Sequence, residues 1–189
     1  MKTELLTGEA WFELFTSVER TARHLETRDH YQVPGEDYYL QQFLDGRYDD
    51  MEHRAYFADW IEPVRAATEA GKRFERVRVL PADLTPYLRL EVRWNRYNAE
   101  AGEDVRYLSR MKANELALPA HDFWTFDGKR VALMYFTADH RWLGADLITD
   151  PAIVARHEHW MDVAVRYATP YAEYLAADPS RERPQASGT

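Results

Sequence analysis

His121, Asp122 and Asp127 fall within one short stretch, and their types could perform proton-transfer chemistry. A histidine beside a carboxylate can act as a base and its orienter. Neighbouring residues of a strand point to opposite faces, which works against that pairing for His121 and Asp122. Asp127 precedes Gly128, and a tight turn explains that dipeptide by itself. These three are therefore weak catalytic candidates. Asp139, Asp146 and Asp150 could join them in acid–base or magnesium chemistry, but Asp150 precedes Pro151 and reads as a helix cap. His157 and His159 stand two apart on a predicted helix, so they diverge rather than face one ion, and no metal site is expected. Cysteine is absent, which removes disulfides, thiolate metal sites and cysteine nucleophiles. There is no G-x-S-x-G or S-x-x-K nucleophile motif. There is also no phosphate loop and no glycine-rich dinucleotide fingerprint. No cofactor is expected.

The arginines carry a stronger signal. Between residues 71 and 112 there are ten Lys and Arg against six Asp and Glu, a local balance of +4. The whole chain is formally −8, so the remainder carries −12. Arg76 and Arg78 share one face of a predicted strand. Arg89, Arg93 and Arg96 share one side of a predicted helix, next to Trp94, and Arg106 and Arg110 follow. Guanidinium forks suit phosphate and carboxylate, and a neighbouring aromatic can stack a base. The competing reading is pairing with the acidic remainder of the chain.

The elements that must position these residues read as follows. The chain has 189 residues, enough for one domain with a sizeable core. Its 46% apolar and 30% charged residues are an ordinary globular balance. No run approaches the length of a membrane span, the N-terminus lacks a signal-peptide pattern, and a cytoplasmic location is expected. Trp11, Phe15, Val18, Ala22 and Leu25 have helical spacing and predict one helix fading by Asp29. More helix is predicted over 50–60, with Pro63 opening another. Residues 74–80 alternate as a strand. A helix capped by Asp83 covers 83–101, and strands are predicted at 104–109, 121–126, 130–136 and 143–148. Asp150-Pro151 opens a helix over 151–168. The architecture expected is α/β, or α+β: an N-terminal helical portion over 1–62, an α/β domain over 63–170, and a disordered tail over 176–189.

Two resemblances follow from particular strings. Arg76-Val77-Arg78-Val79-Leu80-Pro81, the run Tyr97-Asn98-Ala99-Glu100-Ala101-Gly102-Glu103-Asp104-Val105-Arg106, Asp122-Phe123-Trp124 and Asp150-Pro151 resemble an uncharacterised actinobacterial family. That family is described as a domain of unknown function, and its genes often lie beside helix-turn-helix regulators. Residues 60–170 are more weakly similar in order to one half of a phospholipase-D-like domain, whose β-α-β-β-β-α sandwich would carry a His-Lys-Asp motif. Here neither register supplies it. With His121 as the histidine, the lysine position is Phe123; with Asp127 as the aspartate, the histidine position is Ala120. The resemblance therefore implies the fold without its usual catalysis.

Together these readings favour a non-catalytic regulatory or interaction protein. It would meet a helix-turn-helix regulator, a nucleic acid or another anionic partner through Arg76, Arg78, Arg89, Arg93, Trp94, Arg96, Arg106 and Arg110. The alternatives are an enzyme acting on a phosphate ester, nucleotide or nucleic acid, and a toxin–antitoxin component.

Overall fold

The structure, a computed structural model, describes residues 5–184. Its frame is a seven-stranded mixed sheet. In chain order the strands are β1 (Thr21–Glu26), β2 (Arg73–Leu80), β3 (Asp104–Ser109), β4 (Phe123–Phe126), β5 (Arg130–Phe136), β6 (Trp142–Ile148) and the short β7 (Thr169–Pro170). Side by side they run β6-β5-β4-β1-β2-β3-β7. β1, β2 and β3 are parallel. β4, β5 and β6 form an antiparallel meander that joins β1 through β4. Helices α1 (Gly8–Thr16), α2 (Glu36–Leu44), α3 (Asp50–Tyr56), α4 (Ala58–Glu69), α5 (Pro86–Glu100), α6 (Arg110–Glu115), α7 (Pro151–Tyr167) and α8 (Tyr171–Ala177) connect and cover the strands. Among the described residues no helix is long and apolar enough to cross a membrane.

The mixed α/β class agrees with the sequence reading, but the N-terminal third does not. The predicted first helix stops at Thr16, and its second half is β1. The cause is a tertiary contact. Asp127, expected as a turn residue, sits with Gly128 at φ of 56° and 66°, the paired positive angles of a tight hairpin turn. Its carboxylate accepts hydrogen bonds from the backbone amides of Glu19, Arg20 and Thr21 at 3.1, 2.8 and 2.9 Å. Those bonds turn the chain out of α1 and into the sheet, overriding the helical spacing of Val18, Ala22 and Leu25. Residues 1–62 are thus no separate helical portion, because β1 is the middle strand.

Two smaller corrections concern helix starts. Thr85 rather than Asp83 caps α5, its hydroxyl accepting from the Leu88 amide at 3.2 Å. Pro63 lies inside α4 instead of opening it. The end of the chain also departs from expectation. α8 and a 3-10 turn over Pro179–Glu182 pack back on the body: Tyr174 lies 4.3 Å from the Tyr107 ring, and Ser180 O accepts from Arg89 at 3.0 Å. The disordered tail expected from 176 is therefore ordered as far as 184, and 185–189 lie outside the described residues.

The strand pleat divides the sheet into two unlike faces. Leu25, Val77, Val79, Phe123 and Val131 pack under α7 with Val154, Met161 and Ala164. The alternate positions, Ala22, Phe74, Trp124, Phe126 and Ala132, pack with Trp94 and Tyr97 of α5, Ile61 of α4 and Leu14 of α1. This second face also carries ionisable groups.

Candidate functional site

Between the second face and its helices lies a cavity of about 330 Å³, within the size range of small-molecule sites. β1 contributes His24 and Glu26, and β2 contributes Arg76 and Arg78. The parallel register places His24 beside Arg76 and Glu26 beside Arg78, and the antiparallel register places His24 beside Trp124. α5 contributes Tyr87, Glu91, Trp94, Asn95 and Asn98, which follow helical spacing along one side. Trp11 and Phe15 come from α1, Trp60 from α4, and Trp142 from β6.

The floor is a buried ion-pair chain. Arg76 donates to Glu103 at 2.9 Å and to Glu26 at 2.8 Å. Arg78 donates to the other oxygen of Glu26 at 2.8 Å and reaches Glu91 at 2.6 Å. Burial works to raise the pKa of Glu26, but the Arg76 and Arg78 charges outweigh it and hold the carboxyl well below its usual range. Burial raises the pKa of both Glu91 and Glu103. The His24 pKa is pushed down to about 3, first by burial and then by the two arginines, so its ring is neutral. It stacks on Trp124 at 4.2 Å and 16°.

Several polar atoms of this lining have no partner: both ring nitrogens of His24, Nη1 of Arg78 and Nε1 of Trp142. Each such buried orphan costs about 1–3 kcal/mol. Several neighbouring polar groups do make bonds. Trp94 donates to His53 at 2.7 Å, Trp60 donates to Asn98 at 3.0 Å, and Asn95 donates to Tyr107 at 3.0 Å. Unpartnered atoms occur elsewhere too, among them Nε2 of His53 and Oγ1 of Thr125, but those of His24, Arg78 and Trp142 belong to residues that line one cavity.

The structure separates the residues singled out from the sequence. Arg78 and Trp94 are buried at the cavity, Arg76 is largely covered there, and the three form no exposed patch. Arg89, Arg93 and Arg96 lie on the other side of α5. Arg89 binds Ser180 O, Arg93 lies over Tyr48 at 4.0 Å, and Arg96 pairs with Asp50 and, at 3.7 Å, with Glu100. Arg106 pairs with Asp104 at 2.9 Å, and Arg110 pairs with Asp29 at 2.6 Å. The ten cations of the central segment are therefore not one surface, because strand and helix periods send them in different directions and acidic partners meet them.

His121 and Asp122 also part company. His121 is exposed and meets the buried His157, Nε2 to Nε2, at 3.3 Å. Asp122 is buried on the other side and accepts from Thr27 N, Thr27 Oγ1 and Tyr31 OH at 2.8, 2.7 and 2.6 Å. Burial raises its pKa against those bonds. It anchors the segment that brings Tyr31 to the cavity. Asp127 is committed to three backbone amides. Among the described residues no group of three or more His, Cys, Asp or Glu side chains could hold a metal ion.

The sequence reading missed His24, Glu26 and Glu91. The first two were hidden because 21–26 was taken as helix. The available signal is the pair Arg76 and Arg78 on one face of a β-branched strand, since arginines that such a strand buries require carboxylates close by.

Residues 9–176 match the family model described as a domain of unknown function (DUF6879), and the chain belongs to that family. No curated relative matches it.

Proposed function

For this member of an uncharacterised family, we propose a non-catalytic regulatory role in which the cavity takes a small organic ligand and α5 passes its occupancy to a partner. One observation carries the reading: a set of orphaned polar atoms on His24, Arg78 and Trp142 in the lining of a cavity rich in aromatic rings. Ligand sites combine apolar walls with a few placed polar groups. α5 lines the cavity with one side and holds Arg89, Arg93 and Arg96 on the other, so it is the element by which an acidic or helix-turn-helix partner would sense the ligand. The proposal takes the sheet as a phospholipase-D-like half without its catalysis. Its support is that His121 meets His157 and Asp127 meets backbone amides. It also places the protein in the cytoplasm. The phosphate-ester alternative is disfavoured by the two cavity arginines, each already shared by two carboxylates.

The test is the melting temperature of the purified protein with and without the dialysable small molecules of its native lysate. The extract is expected to raise it, and Val33→Trp, which places a large ring at the cavity lining, is expected to abolish the rise. An extract that leaves both proteins unchanged overturns the ligand reading.

A further inference from the structure

We propose that the cavity's occupant is an uncharged, planar nitrogen heterocycle of about nucleobase to tricyclic size, stacked on tryptophan and read by the N–H groups of Arg78 and Trp142. This rests on the reading of the cavity as a ligand site and names the class of ligand.

Shape comes first. Trp11, Trp60, Trp94, Trp124 and Trp142 line one cavity of about 330 Å³, too small for a folded peptide or a nucleic-acid strand and suited to flat rings, which pair with aromatic walls by offset stacking or edge contact. His24 already shows the mode, lying flat on Trp124.

Charge comes second. The lining sets Arg76 and Arg78 against the carboxyl groups of Glu26 and Glu91, two bases against two acids. Each is already paired: Glu26 bridges both arginines, Glu91 takes Nη2 of Arg78, and Glu103 takes Nε of Arg76, which leaves Nη1 of Arg78 as an open donor. A phosphate or carboxylate at Nη1 of Arg78 would meet a guanidinium whose charge Glu26 and Glu91 already share, with both carboxyl groups close by. A cation would find its carboxylates already bonded. Either ion would lose its water without gaining a free counter-charge, whereas a neutral ligand avoids that cost.

Hydrogen bonding comes third. A guanidinium and an indole N–H can only donate, so the orphaned Nη1 of Arg78 and Nε1 of Trp142 call for acceptors on the ligand. The neutral ring of His24 offers one donor and one acceptor, and both of its nitrogens are unpartnered. A ring nitrogen or carbonyl next to an N–H, the edge pattern of a nitrogen heterocycle, answers all three. A hydrocarbon ring of the same shape would leave them unpaired.

The experiment titrates the full chain with adenine, inosine and lumichrome as uncharged heterocycles, benzoate and inorganic phosphate as anions, and tetramethylammonium as the cation. Tryptophan quenching and calorimetry are the readouts. At least one heterocycle is expected to bind saturably, with Trp142→Phe weakening it about 3- to 10-fold, the loss of one hydrogen bond, and Val33→Trp removing it. Benzoate, phosphate and tetramethylammonium are expected to give no saturation. Saturable binding of an ion with silence from every heterocycle overturns the ligand class while leaving the cavity reading in place. Heterocycle binding that ignores both variants overturns the placement. Silence from all probes overturns the class, and the lysate experiment above then decides the cavity reading separately.

Discussion

The two faces of the sheet solve the same burial problem differently. Under α7, alternate positions of β1 and β2 are mostly hydrocarbon, with Leu25, Val77 and Val79 packed against Met161 and Ala164 beside one buried ion pair, Arg23 with Glu75, that α7 closes through Glu158. Facing α5, the intervening positions are His24, Glu26 and Arg78, as well hidden from water, and Arg76, which is largely covered. A hydrocarbon face needs only shape and volume. An ionic face needs every partner present, and replacing it with apolar residues is often neutral or stabilising. Stability alone therefore does not explain why one sheet carries both, and the orphaned donors at the cavity point to recognition as the reason.

The contrast is sharpest under an isosteric change. Glu26→Gln keeps size and shape but removes the charge that both Arg76 and Arg78 lean on. The expected loss is about 3–5 kcal/mol, the usual result of breaking a buried ion pair on one side, read from urea unfolding. A loss below about 1 kcal/mol would mean that water reaches the network and that the two faces are not so different.

The sequence shows these faces unequally, for a physical reason. α7 and the β4–β5 hairpin were legible, because Asp150-Pro151 and Asp127-Gly128 are local signals for a cap and a turn. β2 and β3 were legible from β-branched alternation. β1 was not. Thr21–Glu26 buries Arg23, His24 and Glu26 alongside Leu25, so neither face reads as hydrophobic, and the residues that make a strand possible lie about fifty and a hundred positions away in β2 and β4. The site fared likewise. Arg76, Arg78 and Trp94 read from sequence as parts of one arginine-rich surface, whereas they line a cavity, since the carboxylate partners of the two arginines sit on elements that local pattern cannot bring near.

Acidity offers a second way to divide the faces. The folded state holds His24 at about 3 against its ordinary 6.5, so the unfolded chain takes up the proton first. Stability is therefore lost as pH falls from 6.5 toward 3. Glu36, whose partner is Tyr87 of the cavity lining at 2.9 Å, is pushed up to about 8 from 4.5 by burial and then by Glu91. Here the unfolded chain releases the proton first, so stability is lost as pH rises from 4.5 to 8. Each limb has a slope of at most about 1.4 kcal/mol per pH unit. Glu36→Gln keeps an acceptor for Tyr87 and removes the titration. The stability difference between variant and parent should widen steadily from pH 4.5 to 8, measured by urea unfolding at stepped pH. A constant difference across that range would return Glu36 to an ordinary, solvated carboxyl.

The hydrocarbon part of the α7 face should be far more forgiving. Met161→Leu, in its centre, conserves volume and polarity and is expected to cost less than about 1.5 kcal/mol, with ligand affinity unchanged. A cost matching Glu26→Gln would show that shape, rather than charge pairing, sets the sensitivity of both faces.

The smallest expected effect concerns the far side of α5. Arg89 makes a bond to Ser180 O, and Arg93 covers Tyr48. Both are partly exposed, and such contacts contribute roughly 1 kcal/mol or less. Arg89→Glu with Arg93→Glu should therefore leave the fold and heterocycle binding nearly unaltered. If α5 carries the ligand signal outward, the same pair should abolish recovery of an acidic or helix-turn-helix partner from native lysate. Loss of the partner with ligand binding intact would separate the two sides of one helix into reader and relay. Loss of both would mean that charge reversal disturbs the cavity through α5 itself. Recovery of the same partner at parental level would sink the relay and leave the cavity, with its unpaired donors, as the only functional element that the arginine-rich segment builds.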